Sequence, residues 1–562
     1  GSASLEFLPA TGHLRIEPDG EVGLVAVRGA TPGSAEIWLE ANKMNASTPF
    51  GRDLRELTVR TLTFSEGQGR ASATDIAAPP KPPARESLSD EDARWADQAE
   101  QVREAFLHAW RGYRRYAWGR DELMPLSKSG KDTYGGFGAT AIDSLTTLWL
   151  MGLEEEFEQA TKFVRDELDF DRADSMVSVF ELVIRGVGGL LGAHALSRQE
   201  IFLRRARELA DRLLPAFDTK SRLPWPRWNI ARGGGGNPNG EPTILSEAGS
   251  VQLEFRALSA LTGEPRFRQA GDAAFAAVRS TGVSGLMPVY LTPPDHANVK
   301  ALASKFAFGA LTDSYYEYLL KQWVQSPTNT TFKDLWISVM DELPGLLRPR
   351  PTQSSARRGA AAPPYKLVEV SPSGETIWKM DHLSCYAPAM IALGLMELPK
   401  EDLEGGRGDI LRSVAEGVTD TCVHMWTGSR TGLAPEFMTV RSAAPHDLAE
   451  VPRQGRHSFL RPETAESLFY LYRMTGDEKY RRWGRRLFEA IVAHAKVPAG
   501  FCTVQDVNQV PTEKVDELQS FVLAETFKYL YLLFSPKDRL DMDRFVLNTE
   551  GHPLPRPPRV SS

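Results

Sequence analysis

The sequence predicts a mainly α-helical chain, a ring of paired helices preceded by a short segment of strands. Three observations carry this. From Ser89 onward apolar residues recur at helical spacing, beginning with Trp95, Val102, Phe106, Trp110 and Tyr113, the mark of a long amphipathic helix. A helix-turn-helix unit then repeats. Leu261-Thr262-Gly263-Glu264-Pro265-Arg266-Phe267 resembles Met474-Thr475-Gly476-Asp477-Glu478-Lys479-Tyr480, with a weaker copy at Leu196-Ser197-Arg198-Gln199-Glu200-Ile201-Phe202. Each joins two apolar helices through a short turn, an αα-hairpin. Finally, residues up to Gly67 lack that periodicity.

Taken in order, Val22 to Val27 follows the turn-like Pro18-Asp19-Gly20, and Glu56 to Leu62 alternates imperfectly, so short strands are expected in residues 1–76. Residues 77–87 form a linker, because Pro79, Pro80, Pro82 and Pro83 exclude a helix. Ser89 is an N-cap candidate with Asp92 three residues on, and the helical body runs over 88–556, with a tail at 557–562. Stacked hairpins close into a ring or run as an open solenoid. The spacing of the copies is irregular, and polar inserts such as Arg348 to Pro364 separate them. A ring with inserts at one end fits better.

Composition narrows the function. The 562 residues are 42% hydrophobic and 25% charged, with a formal net charge of −7, as in a water-soluble globular protein. No basic block stands out, which argues against nucleic acid as the partner. No apolar run reaches membrane-spanning length, and the first residues, Gly-Ser-Ala-Ser, read as a cloning remnant, so a natural signal or anchor would have been cut away. Cys385, Cys422 and Cys502 are too widely spaced for a zinc module. They allow one disulfide and one free thiol, or no disulfide. Asn45-Ala46-Ser47 and Asn329-Thr330-Thr331 are glycosylation sequons.

Acidic residues recur at or beside helix starts. Glu181 and Arg185 lie one turn apart. Glu247 opens the helix around Val251 to Phe255, Asp313 sits at an N-cap position, and Pro462, suited to a first helical turn, precedes Glu463 and Glu466. Glu525 lies in a late apolar helix. Taken singly, each reads as a cap or an ion pair. In a ring of hairpins, helix starts on one side face a common cavity, and converging carboxylates must divide into protonated and ionised groups. Acid–base chemistry at a sugar needs that division.

Ala117-Trp118-Gly119-Arg120-Asp121-Glu122-Leu123-Met124-Pro125-Leu126-Ser127, Phe180-Glu181 with Ile184-Arg185, Asp313-Ser314-Tyr315-Tyr316-Glu317-Tyr318, Met380-Asp381-His382-Leu383, Leu460-Arg461-Pro462-Glu463-Thr464, Leu523-Ala524-Glu525-Thr526 and Asn548-Thr549-Glu550 resemble the class I α-1,2-mannosidases of glycoside hydrolase family 47. The resemblance runs from Ala105 to Pro555. It implies an (α/α)7 barrel plugged by a C-terminal β-hairpin, with Ca2+ deep inside, that inverts configuration while trimming terminal α-1,2-linked mannose from high-mannose N-glycans. It implies that Glu181 is the general acid, acting through water, that Glu463 is the base, and that Asp313 is a third essential carboxylate. Thr549 would bind the calcium directly through its carbonyl and hydroxyl, with Glu466, Glu525 and Glu550 in the ion's water shell. Arg185, Glu247, Leu311, Asp381, His382, Arg461, Phe521 and Glu525 would hold the sugar, Phe521 by stacking. Cys385 and Cys422 would pair as a disulfide, leaving Cys502 free. The setting implied is the lumen of the secretory pathway, endoplasmic reticulum or Golgi, or the exterior, and a monomer is expected.

Three positions depart from the family pattern. Leu311 stands where reticulum-type members carry an arginine and Golgi or secreted members a leucine. Loss of a guanidinium anchor predicts broader branch selectivity. Thr146 and Gln519 replace a usual aspartate and glutamate, and Gly233 to Pro242 lacks a tryptophan expected near the glycan groove. An alternative reading of the same cavity is a glycan-binding quality-control protein with little or partner-dependent turnover.

Overall fold

A computed structural model describes residue 81 and residues 88–557, apart from 238–239, 350–364 and 440–450, together with five short strands nearer the N-terminus. The chain divides into two compact units, Gly1–Ile76 and Ala77–Ser562. In the first, β1 (Ser4–Leu8), β2 (His13–Glu17) and β3 (Gly23–Ala26) form an antiparallel sheet in that order, with Leu5 opposite Ile16 and Leu14 opposite Val25. The strand expected around Val22 to Val27 is β3. The strand expected at Glu56 to Leu62, most of the linker, the 350–364 insert and the last residues of the tail lie outside the described residues.

The second unit is built from seven helix pairs. The helices are α1 (Asp90–Tyr116), α2 (Leu145–Leu150), α3 (Glu154–Lys162), α4 (Val179–Ser197), α5 (Glu200–Leu213), α6 (Gln252–Thr262), α7 (Pro265–Arg279), α8 (Asp313–Gln325), α9 (Thr330–Glu342), α10 (Ala387–Glu397), α11 (Arg407–Thr427), α12 (Glu463–Thr475), α13 (Lys479–Ala495) and α14 (Phe527–Phe534). Each even-numbered helix packs on the odd-numbered helix that follows it, and α14 packs on α1. The even-numbered helices also pack on one another in sequence, α2 on α4 and so on to α14, which returns to α2. That closure makes an (α/α)7 barrel rather than a solenoid.

The two rings differ as burial demands. Inner α8 is buried from Ser314 through Val324 and α14 along its whole length. Outer α5 buries one stripe, Phe202, Ala206, Leu209, Ala210 and Leu213, as an amphipathic helix should. Among the described residues one helix, α4, is long and apolar enough to cross a membrane, and it is an inner helix with most of its apolar stretch buried. The repeated turns behave as their sequences suggest. Gly263 and Gly476 close α6 and α12 in the left-handed region at φ +72° and +70°, where glycine escapes the Cβ penalty. Arg198 takes the same place after α4 at φ +62°. Ser89 caps α1 by accepting the Asp92 N–H at 3.1 Å.

A C-terminal hairpin, β4 (Phe545–Leu547) with β5 (Pro553–Pro555), fills one end of the barrel against α4, α6 and α8. Glycines on α4 admit it: a Cβ at Gly188 would stand 2.6 Å from Asn548 Nδ2. Asn548 organises its turn. The N–H groups of Glu550 and His552 donate to Asn548 Oδ1, while Nδ2 donates to the Ile184 carbonyl and to Glu254. The Cys385–Cys422 disulfide ties the start of α10 to α11 across 37 residues, and Cys502 is a free, buried thiol.

Candidate active site

Inner helices start at the end of the barrel opposite the hairpin, and their first residues carry the acids. Short strand pairs fix the chain before three of these segments, and Glu247 lies in a separate short helix, Leu245–Gly249, ahead of α6 rather than at its opening. Val177–Ser178 pairs with Arg227–Trp228 ahead of Glu181. Thr243–Ile244 pairs with Tyr290–Leu291 ahead of Glu247, and Lys379–Asp381 pairs with Phe437–Thr439 ahead of His382. Two corrections to the sequence reading concern caps. Asp313 is the first helical residue of α8, with Thr312 at the N-cap. Pro462 is itself the N-cap of α12, so Glu463 opens the helix. Leu311 and Leu460 precede these acids with φ of +76° and +62°, a strained conformation for leucine, costing on the order of 1 kcal/mol each. The Leu311 carbonyl accepts the Ser246 N–H and the Leu460 carbonyl accepts the Thr526 hydroxyl, so both strained residues are tied to neighbouring helix starts.

One flank of the cavity centres on Arg185, in a widened π-helical turn of α4. Its Nε donates to Glu181 at 2.6 Å, and its Nη1 reaches Glu550, Ser520 at 3.2 Å and Asp143 at 3.3 Å. Its guanidinium lies 5.3 Å from the Tyr134 ring centre and 6.0 Å from that of Phe521. Asp143 is fully buried and accepts the Ser520 hydroxyl at 2.5 Å and His552 Nε2–H at 3.0 Å. Burial alone would raise the Asp143 carboxyl, but the His552 hydrogen bond and the Arg185 charge hold it at about 2. Burial lowers His552 to about 4, so the ring is neutral at pH 7, donating through Nε2 and accepting the Thr146 hydroxyl at Nδ1, 3.1 Å away.

The opposite flank is short of partners. Burial, with the nearby Glu436 and Glu317 charges, pushes Glu463 up to about 7 against the pull of Arg461. Its Oε2 is buried without a hydrogen-bond partner among the described residues. His382 Nδ1 stands 3.7 Å from that oxygen. The Trp426 indole N–H can only donate, and it meets His382 Nε2 at 3.2 Å, so the ring proton resides on Nδ1, facing Glu463. Burial, then Arg461, lowers His382 to about 3, and it stays neutral. Burial and the Glu317 and Glu463 charges lift Asp313 to about 7. On the Arg185 side, near Glu181, Glu247 is also pushed up to about 7, by burial and then by the Glu181 charge. Phe521 lies between the flanks, with the Arg461 guanidinium 5.5 Å from its ring centre. Asp381 pairs with Lys379 at 2.6 Å, beside His382.

The floor is the hairpin turn. Lys321 donates to the Asn548 carbonyl and Lys528 to the Gly551 carbonyl. Between them, neither the Thr549 hydroxyl nor its carbonyl has a protein hydrogen-bond partner among the described residues. Glu466, Glu525 and Glu550 are buried around it, each raised by burial and by neighbouring carboxylates. Among the described residues no three His, Cys, Asp or Glu side chains are placed to ligate a metal together. Two free oxygens on one residue, with carboxyl groups buried around it, suit a hard cation held mainly by waters.

A family model of glycosyl hydrolase family 47 matches residues 105–556. The chain belongs to glycosyl hydrolase family 47. It is 40% identical over 488 residues to the mannosyl-oligosaccharide 1,2-alpha-mannosidase MNS1 of Arabidopsis thaliana, covering 84% of this chain and 82% of that one. It is 39% identical to the human endoplasmic reticulum mannosyl-oligosaccharide 1,2-alpha-mannosidase over 85% of this chain and 66% of that protein. The structure of an alpha-1,2-mannosidase from Trichoderma reesei superposes with a TM-score of 0.72 at 26% identity, covering 82% of this chain and 99% of that one.

In this family 47 chain the fold brings together residues the sequence reading did not single out. Glu436 accepts the Phe459 N–H at 3.0 Å and pairs with Arg461. It stands alone in Pro435-Glu436-Phe437, with no local pattern to flag it. Lys321 pairs with Glu317 one turn away on α8, a spacing that sequence does reveal. Tyr134, Asp143 and His552 gather only through Arg185 and the hairpin.

Proposed function

We propose that this chain is an inverting exo-α-1,2-mannosidase that removes terminal α-1,2-linked mannose from high-mannose N-glycans in the secretory lumen, with Ca2+ at Thr549. The observation that carries the reading is that three acids from different inner helices are linked: the Glu463 charge acts on Asp313, and Glu181 is held by Arg185, which shares the Phe521 ring with Arg461 beside Glu463. The fit of oxygen donors at Thr549 supports calcium. Bound there, it would supply a site for vicinal sugar hydroxyls and favour a distorted ring. The Cys385–Cys422 disulfide suits an oxidising compartment.

In this mechanism Glu463 is the base. Its partnerless Oε2 takes a proton from the attacking water, while His382 Nδ1–H and Arg461 orient it and favour its ionised form. Glu181, held by Arg185, delivers a proton through water to the departing glycosidic oxygen, so the two carboxyls act from opposite faces of the sugar, as inversion requires. Asp313 acts beside Glu463. Phe521 stacks on an apolar sugar face. At Leu311 the rim is apolar rather than cationic, which favours cleavage on several branches.

Digesting a full high-mannose N-glycan and mapping the mannoses released tests this. The expected result is α-1,2-linked mannose leaving from more than one branch as the β-anomer first formed, with chelator stopping release. A clean stop after a single central-branch residue would contradict the reading of Leu311, and no release in the presence of calcium would contradict the activity.

A further inference from the structure

We propose that Asn329 is an N-glycosylation site, at the plugged end of the barrel and away from the sugar-binding mouth. The inference rests on the secretory reading above. Asn329-Thr330-Thr331 has the acceptor pattern; Asn329 is exposed at the end of the turn between α8 and α9, and Thr330 and Thr331 are exposed at the start of α9. Asn329 is the N-cap of α9, with its Oδ1 accepting the Thr331 N–H at 3.2 Å. Glycosylation uses the other atom of the amide. Nδ2 forms a bond to the anomeric carbon of an oligosaccharide carried on a lipid pyrophosphate, the bond from that carbon to the pyrophosphate oxygen breaks, and the Nδ2 proton leaves to solvent. Oδ1 is untouched, so the helix cap survives modification.

The placement follows from α8. Its first residue, Asp313, lies in the acid cluster, and its 13 residues carry the chain roughly 18 Å along the barrel. Asn329 comes four residues after the helix ends, at the end that the β4–β5 hairpin fills. An oligosaccharide there leaves the mouth open.

The test is to secrete the full chain from a eukaryotic cell and map its peptides after enzymatic deglycosylation in heavy-oxygen water, which marks each formerly glycosylated asparagine. Wild type should be marked at Asn329. Asn329→Asp and Thr331→Ala, which both keep an acceptor and an N–H for the cap, should lose the glycan completely and release mannose within about twofold of wild type. An unmodified Asn329 in a chain whose Cys385–Cys422 disulfide has formed would overturn the proposal, and so would a large loss of mannose release in both variants. An occupied Asn329 on a chain that releases no mannose would support the site and count against the proposed activity instead.

Discussion

The two flanks of the cavity hold carboxylates in opposite ways. Around Arg185 the carboxylates are hydrogen-bonded: Glu181, Glu550, Asp143, Ser520 and His552 form one group, and Asp143 stays ionised at about 2 although burial raises Glu550. Around Glu463 one buried carboxylate oxygen has no hydrogen-bond partner among the described residues, and Glu463 and Asp313 both rise to about 7. A saturated network fixes geometry, and only Glu181, its most exposed carboxylate, is left at its edge to exchange a proton. A buried carboxylate without a partner is costly unless water or a ligand completes it. The contrast assigns a rigid anchor to the Arg185 side, with Glu181 as its exchanging edge, and an open, partner-poor carboxyl to the Glu463 side.

The sharpest way to break this contrast is Glu463→Gln. It should lower kcat/KM by roughly 10²–10⁴-fold while a binding isotherm shows the glycan still held. Retained activity would remove Glu463 from the base role. Next is Asp143→Asn, which leaves the buried Arg185 short of an anion and gives the neutral His552 ring a weaker acceptor. It should cost about 3 kcal/mol of stability, in the range seen when one member of a buried pair is lost, read as a fall in Tm. The same change on the opposite flank should have the opposite sign.

Chelation is the third test. If a cation is held at Thr549, removing it should stop mannose release and lower Tm, by about 2.7 kcal/mol of stability if the ion had been present at a hundred times its Kd, with both restored by calcium. An unchanged Tm and rate would exclude the site.

The smallest effect concerns pH. Glu247 and Asp313 have folded pKa values near 7, above the unfolded range near 4. The folded state therefore keeps protons that the unfolded chain releases, and stability falls as pH rises from about 4 through about 7. Glu247→Gln and Asp313→Asn should each raise Tm at pH 8, by on the order of 1 kcal/mol of stability, and leave it unchanged at pH 4. A fall at pH 8 would mean these acids are already compensated, and for Asp313→Asn it would remove the difference between the two flanks.

Much of this architecture is visible in the chain itself. The αα-hairpins announce themselves at Gly263 and Gly476, because only a residue tolerant of the left-handed region ends a helix and turns so tightly. Glu181, Asp313 and Glu463 stand at helix starts in recognisable local settings. Cys385 and Cys422 pair as the family resemblance implies. Local chemistry also marks Lys321, one turn from Glu317.

Other features have no local signature. Ring closure joins α1 to α14 across most of the chain, a contact set by the accumulated packing of all the inner helices. Glu436 becomes part of the site only because Phe437 pairs with Asp381. Thr549 reads as an ordinary strand-end threonine until the hairpin places it on the floor, where lysines take the carbonyls on either side and leave its own oxygens open. The sequence by itself determined the helices, their turns and which carboxylates stand at their starts, because these depend on neighbours a few residues away. Only the tertiary structure decided which carboxylates are paired and which are left exposed to one another, because that depends on distances between segments hundreds of residues apart.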